Sequence, residues 1–74
     1  MGRLAGLHYR DVVRKLRSAG FRFDRQAKGS HEIWYNPSSG RRTTVPNHPG
    51  TLPEGTVRAI ARQAELDVDQ FLAL

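Results

Sequence analysis

Cysteine is absent from the 74 residues of this chain, and that absence constrains the fold more than any other feature. No disulfide and no thiolate-held zinc can staple the structure. A domain this short buries only about 60% of the surface its unfolded chain exposes. Regular elements must therefore pack around one small core unaided, and any chemistry belongs on a surface or in a shallow groove. No apolar run could span a bilayer, and the N-terminus carries no signal-peptide core. The expectation is a single cytoplasmic domain over residues 1–74.

The apolar periodicity supplies the elements. Tyr9, Val12, Val13, Leu16 and Ala19 repeat at helical spacing. Asp11 and Lys15 stand at i,i+4 on the same segment, a spacing that predicts an ion pair. Gly20 fits the left-handed position after that helix, which puts Leu16 and Phe21 at the touching positions of a Schellman motif. His8 is a poor N-cap. Phe21 to Arg25 alternate like a strand, residues 26–30 form a loop, and His31 to Tyr35 are rich in aromatic and β-branched residues. A turn at residues 36–40 leads to a third strand over Arg42 to Val45, stopped by Pro46.

Thr51 with Glu54 has capping-box spacing, ahead of a helix with Val57, Ile60, Ala61 and Ala64 on one face. Asp67 with Gln70 repeats the box, with Leu66 and Phe71 at staple positions, before a short helix over residues 68–73. The sum is an α+β fold, α-β-β-β-α, with a three-stranded antiparallel sheet and a short extra C-terminal helix.

Charge narrows the function. The formal net charge is +5, and ten of the twelve basic residues are Arg. Residues 1–50 hold ten Lys/Arg against three acids, whereas residues 51–74 hold two against four. One part of the chain is built to meet a polyanion, and Arg suits forked phosphate contacts.

The candidates for chemistry are few. His8, His31 and His48 lack metal-ligand spacing, and no Walker-type loop or Ser/His/Asp set is present. The informative stretch is Lys28-Gly29-Ser30-His31. Gly29 lets the backbone approach a ligand, Ser30 adds a hydroxyl and an N–H, and Lys28 is a flexible cation for a phosphate oxygen. His31 is the candidate general base, since histidine is the side-chain type suited to proton transfer near neutral pH. On these residues alone, a basic loop leading into a strand remains the competing reading. His48 is either a phosphate or base contact near the groove or a loop residue capping a strand end. His8 reads as surface. Trp34 and Tyr35 point to opposite faces of one strand, one to the core and the other free to stack on a base; the pattern does not say which.

The order of motifs resembles the HicA (YcfA-like) family of toxin endoribonucleases. Leu16-Arg17-Ser18-Ala19-Gly20-Phe21 is similar to the exit of that family's first helix. Lys28-Gly29-Ser30-His31 resembles its Lys-Gly-Ser-His signature, which contains the catalytic histidine. Thr44-Val45-Pro46-Asn47-His48 resembles Thr-Val-Pro-x-His, and the segment from Gly55 to Ala64 resembles Gly-Thr-Leu-x-x-Ile-x-x-Gln-Ala. Two departures stand out: Glu32 occupies a position where members often carry a second His, and the first helix lacks a Ser cap.

The resemblance implies a fold similar to a double-stranded-RNA-binding domain, cleavage of mRNA, and neutralisation by a HicB-type antitoxin. It implies His31 as the catalytic residue. Lys28, Gly29, Ser30 and His48 are expected as RNA or phosphate contacts, with no metal and no cofactor. In the expected mechanism His31 removes the 2′-OH proton, while Lys28 and the Gly29 and Ser30 amides stabilise charge on the phosphate. The proton donor to the 5′-oxygen stays open among Glu32, His48 and water. The alternative expectation is a non-catalytic RNA-binding module in which the same loop only grips phosphate.

Overall fold

In the computed structural model, which describes residues 2–74, the first apolar repeat forms helix α1, Tyr9–Ser18, with Val12, Val13 and Leu16 buried. Its exit is the predicted Schellman motif. Gly20 takes φ +101°. The N–H of Phe21 donates to the Leu16 carbonyl at 2.9 Å and that of Gly20 to Arg17 at 3.0 Å. His8 does occupy the N-cap, but the cap bond comes from the other direction: the Asp11 carboxylate accepts the His8 backbone N–H at 2.9 Å.

The expected Asp11–Lys15 ion pair does not form. Lys15 is only 7% exposed, and its ammonium donates to the carbonyls of Leu72 at 3.1 Å and Leu74 at 3.0 Å. Two backbone acceptors from the far end of the chain outcompete one solvated carboxylate.

Strands β1 (Arg22–Gln26), β2 (His31–Tyr35) and β3 (Arg42–Pro46) form an antiparallel meander in the order β1-β2-β3. Strand alternation splits β2 cleanly. Glu32 and Trp34 are buried under the helices, while His31, Ile33 and Tyr35 face the other way. Trp34 is therefore the core residue, at 1% exposure, and Tyr35 lies on the helix-free face. Both α1 and the second long helix pack on β3.

β1 lies outside that cover, and all five of its residues are exposed. The Phe21/Phe23 alternation thus splits differently from a half-buried strand. Phe21 enters the core just before β1, whereas Phe23 is 51% exposed and meets Trp34 only edge-on, centroids 6.0 Å apart. A register shift between Phe23 and Arg25 makes Asp24 the extra residue of a bulge.

Helix α2 spans Glu54–Gln63 and α3 spans Val68–Leu72. The Asp67/Gln70 capping box forms as predicted, with bonds of 2.9 and 2.8 Å. The Thr51/Glu54 box does not. Thr51 bridges to His8, and the Leu52 N–H donates to the Leu7 carbonyl at 2.8 Å. That pairing keeps the chain extended past Thr51, so Pro53 becomes the N-cap and Glu54 reaches Arg58 instead, at 3.3 Å. The same pairing carries Leu4 and Leu52 into the core.

α2 is tied to β3 by Gln63, whose side-chain carbonyl accepts the Thr43 hydroxyl at 2.8 Å and the Thr44 N–H at 3.2 Å.

Candidate active site

A reverse turn joins β1 to β2, and the Lys28-Gly29-Ser30-His31 stretch forms it. The His31 N–H donates to the Lys28 carbonyl at 3.2 Å, and the Ala27 N–H closes the hairpin on the His31 carbonyl at 2.8 Å. The Gln26 amide clamps the turn from the side, donating to the carbonyls of Gly29 at 2.9 Å and His31 at 3.0 Å. Gly29 sits at φ +64°, and among the described residues, its two chain neighbours aside, no atom lies within 4 Å of where its Cβ would be. Glycine is needed there for backbone conformation rather than for space. The turn therefore presents bare backbone to solvent. Among the described residues, the Gly29 and Ser30 N–H groups have no acceptor, and Lys28 makes no ion pair.

β3 brings the second motif alongside. His31 pairs with Pro46, and one step on the Asn47 N–H donates to the Ser30 carbonyl at 2.9 Å. His48 follows directly, exposed, at the same end of the sheet. Lys28, Gly29, Ser30, His31 and His48 thus share one rim. His8 stands apart at the start of α1, half-buried, its Nδ1 3.6 Å from the Asp11 carboxylate. That carboxylate is held below its usual range, first by the His8 backbone N–H. Among the described residues, no three of His, Asp and Glu converge as a metal site requires.

Glu32 is corrected as a proton donor beside His31. Successive strand residues point to opposite faces, and Glu32 is buried on the helix side. Its carboxylate accepts the Tyr9 hydroxyl at 2.6 Å, the Trp34 indole N–H at 3.1 Å and the Asn47 amide at 3.1 Å. Burial, and then the bond to Glu32, push the Tyr9 hydroxyl up to about 12. Sequence reading missed this network because its four members come from three separate segments: α1, β2 and the loop after β3. A carboxylate two residues before Trp34, and so on the same face of one strand, was the available signal.

Fold and rim together define a small basic α+β protein whose exposed histidine and unpaired lysine stand on one strand-end turn. A profile described as the HicA toxin of bacterial toxin–antitoxin systems matches residues 9–66, from the first residue of α1 past the end of α2. The chain belongs to the HicA toxin family, and so is a toxin of a toxin–antitoxin system with an antitoxin as its partner. No curated protein matches it. No helix among the described residues is long and apolar enough to cross a membrane.

Proposed function

We propose that this chain is a metal-independent endoribonuclease that cleaves mRNA in the cytoplasm and is neutralised by a HicB-type antitoxin. The observation that carries the reading is the exposed His31 standing at the end of β2, next to a turn that offers Lys28 and two unpartnered backbone N–H groups. RNA brings its own nucleophile. His31 takes the 2′-OH proton, O2′ bonds to phosphorus, and the bond from phosphorus to the 5′-oxygen breaks. Lys28 and the Gly29 and Ser30 amides stabilise the extra charge on the phosphate. The leaving oxygen is protonated by His48 or by water. General base help of this kind is worth about 10²–10⁴-fold.

The test is purified protein with RNA in EDTA. Wild type is expected to give fragments ending in 2′,3′-cyclic phosphate, and His31→Ala none. Because His31 is exposed, its loss should leave stability within about 0.5 kcal/mol. Undiminished cleavage by His31→Ala, or activity that EDTA removes and magnesium restores, overturns the mechanism. Binding without any cleavage points to an RNA-binding module instead.

A further inference from the structure

The helices cover one face of the sheet and leave the other open. We propose that this open face is a track for single-stranded RNA. Tyr35 stacks on a base, and Arg22, Arg25 and Arg42 hold the adjoining phosphates as the strand runs toward His31. The proposal rests on the ribonuclease reading for the polymer and adds the state in which it is bound.

Register makes the track. Arg22, Tyr35 and Arg42 stand in line across the three strands, and Arg25 stands beside Ile33. The Arg42 guanidinium lies over the Tyr35 ring, 4.3 Å from its centroid, so it covers one face of the ring, and a base stacks on the ring's other face. The bulge brings in Asp24, whose carboxylate lies 3.0 Å from Arg25 and 4.0 Å from Arg42. One acid thus orients two guanidiniums without cancelling the face, because Arg22 has no acidic partner among the described residues. Along β2, Tyr35 and His31 are four residues apart on the same side, about 13 Å at roughly 3.3 Å per residue. A base held at Tyr35 therefore leaves a short stretch of backbone to reach the turn.

The geometry selects single strands. A duplex keeps its base faces stacked inside, whereas aromatic rings and guanidinium planes on a flat sheet read bases that are free. The solvent-facing apolar part of this face is small, with Ile33 and Tyr35 half-buried and Pro46 buried, and arginines border it. That pattern suits a polyanion with flat groups better than the desolvated centre of a protein interface.

The experiment measures binding of a fluorescent 2′-O-methyl RNA of about twelve nucleotides, single-stranded or annealed to its complement. This probe cannot be cleaved through a 2′-OH, so binding is read apart from catalysis. Tyr35→Ala should weaken single-strand binding by about tenfold, from the worth of one base–aromatic stack, and leave duplex binding unchanged. Tyr35→Phe should bind like wild type. Arg22→Ala should flatten the log–log salt dependence on the single strand by about 0.7. Single-strand binding untouched by Tyr35→Ala, or equal losses for both probes, overturns the track. Should Tyr35→Ala fail to fold, an unchanged slope in Arg22→Ala overturns it. Variants that lose only the antitoxin assign the face to the protein partner and also overturn it. Cleavage that survives His31→Ala, with the Tyr35 effect intact, removes the ribonuclease mechanism and leaves the track standing. His31-dependent cleavage with normal binding by the face variants removes the track alone.

Discussion

The Glu32 carboxylate accepts the side-chain N–H of Asn47 at 3.1 Å, and this bond couples the buried side of the sheet to the rim. Asn47 also donates its backbone N–H to the Ser30 carbonyl. A carboxylate on the helix side thereby helps to hold the His48 loop against the Lys28–His31 turn.

Glu32→Ala should accordingly be strongly destabilising. It strands the Trp34 indole N–H in the core and removes the acceptor of Tyr9 and Asn47; an unsatisfied buried group costs about 1–3 kcal/mol. Asn47→Ala should cost less stability yet still lower the cleavage rate, because only the tie between the loops is lost. Urea unfolding with cleavage rates measured on the same variants separates the two effects.

Lys28→Ala should weaken RNA binding and turnover together. Loss of one phosphate contact flattens the log–log salt dependence by about 0.7 on single strands. Titrations at several salt concentrations read the slope. An unchanged slope with lost turnover would restrict Lys28 to the transition state, and no change in either would remove it from the site.

Tyr9 makes stability sensitive to alkali. Its folded-state value, about 12, lies above the ordinary 10. The folded protein therefore holds this proton more tightly than the unfolded chain does. That contribution is fully present below pH 10 and disappears as pH rises through about 12. Tyr9→Phe should remove this alkaline step and cost about 1 kcal/mol at neutral pH through the lost hydrogen bond. Denaturant midpoints followed with rising pH test both, and an identical alkaline profile in the variant refutes the assignment.

Lys15→Met should loosen the C-terminal segment in particular. Methionine keeps much of the buried stem but cannot donate to the Leu72 and Leu74 carbonyls, a loss of about 1–3 kcal/mol for bonds made by a charged donor. Hydrogen exchange should quicken in α3 before it does in α1. Equal acceleration everywhere would mean that Lys15 supports the whole core and does not anchor one end.

Local signals were legible in the sequence, and competition from distant segments hid the rest. Leu16, Gly20 and Phe21 specify a helix exit within six residues, as Asp67 and Gln70 specify a cap within four, so both motifs formed as read. Thr51 carries an equally good local signal, but pairing with His8 overrode it. Lys15 left Asp11 for carbonyls 57 and 59 residues away. Leu4 and Leu52 belong to no periodic run, so nothing marked them as core. At the site, the Lys28–His31 turn was readable because its residues are contiguous. The arginine face was not, since Arg22, Tyr35 and Arg42 line up only once the strand register is known. Register was also what Trp34 and Tyr35 lacked: the buried Glu32 breaks the apolar alternation that would have told them apart.

The outer side of β3 has a consequence for pairing between copies. With the Asn47 N–H bonded to Ser30, Pro46 sits at a position whose backbone nitrogen points away from β2, and proline has no hydrogen there to offer. Two residues earlier, the Thr44 N–H is already taken by Gln63. A strand from a second copy arriving on this side would find neither donor. On the opposite side it would meet the Asp24 bulge and the charged side chains of β1, devices that discourage edge-to-edge aggregation. Both edges of the sheet are thus poor templates for a strand from a second copy.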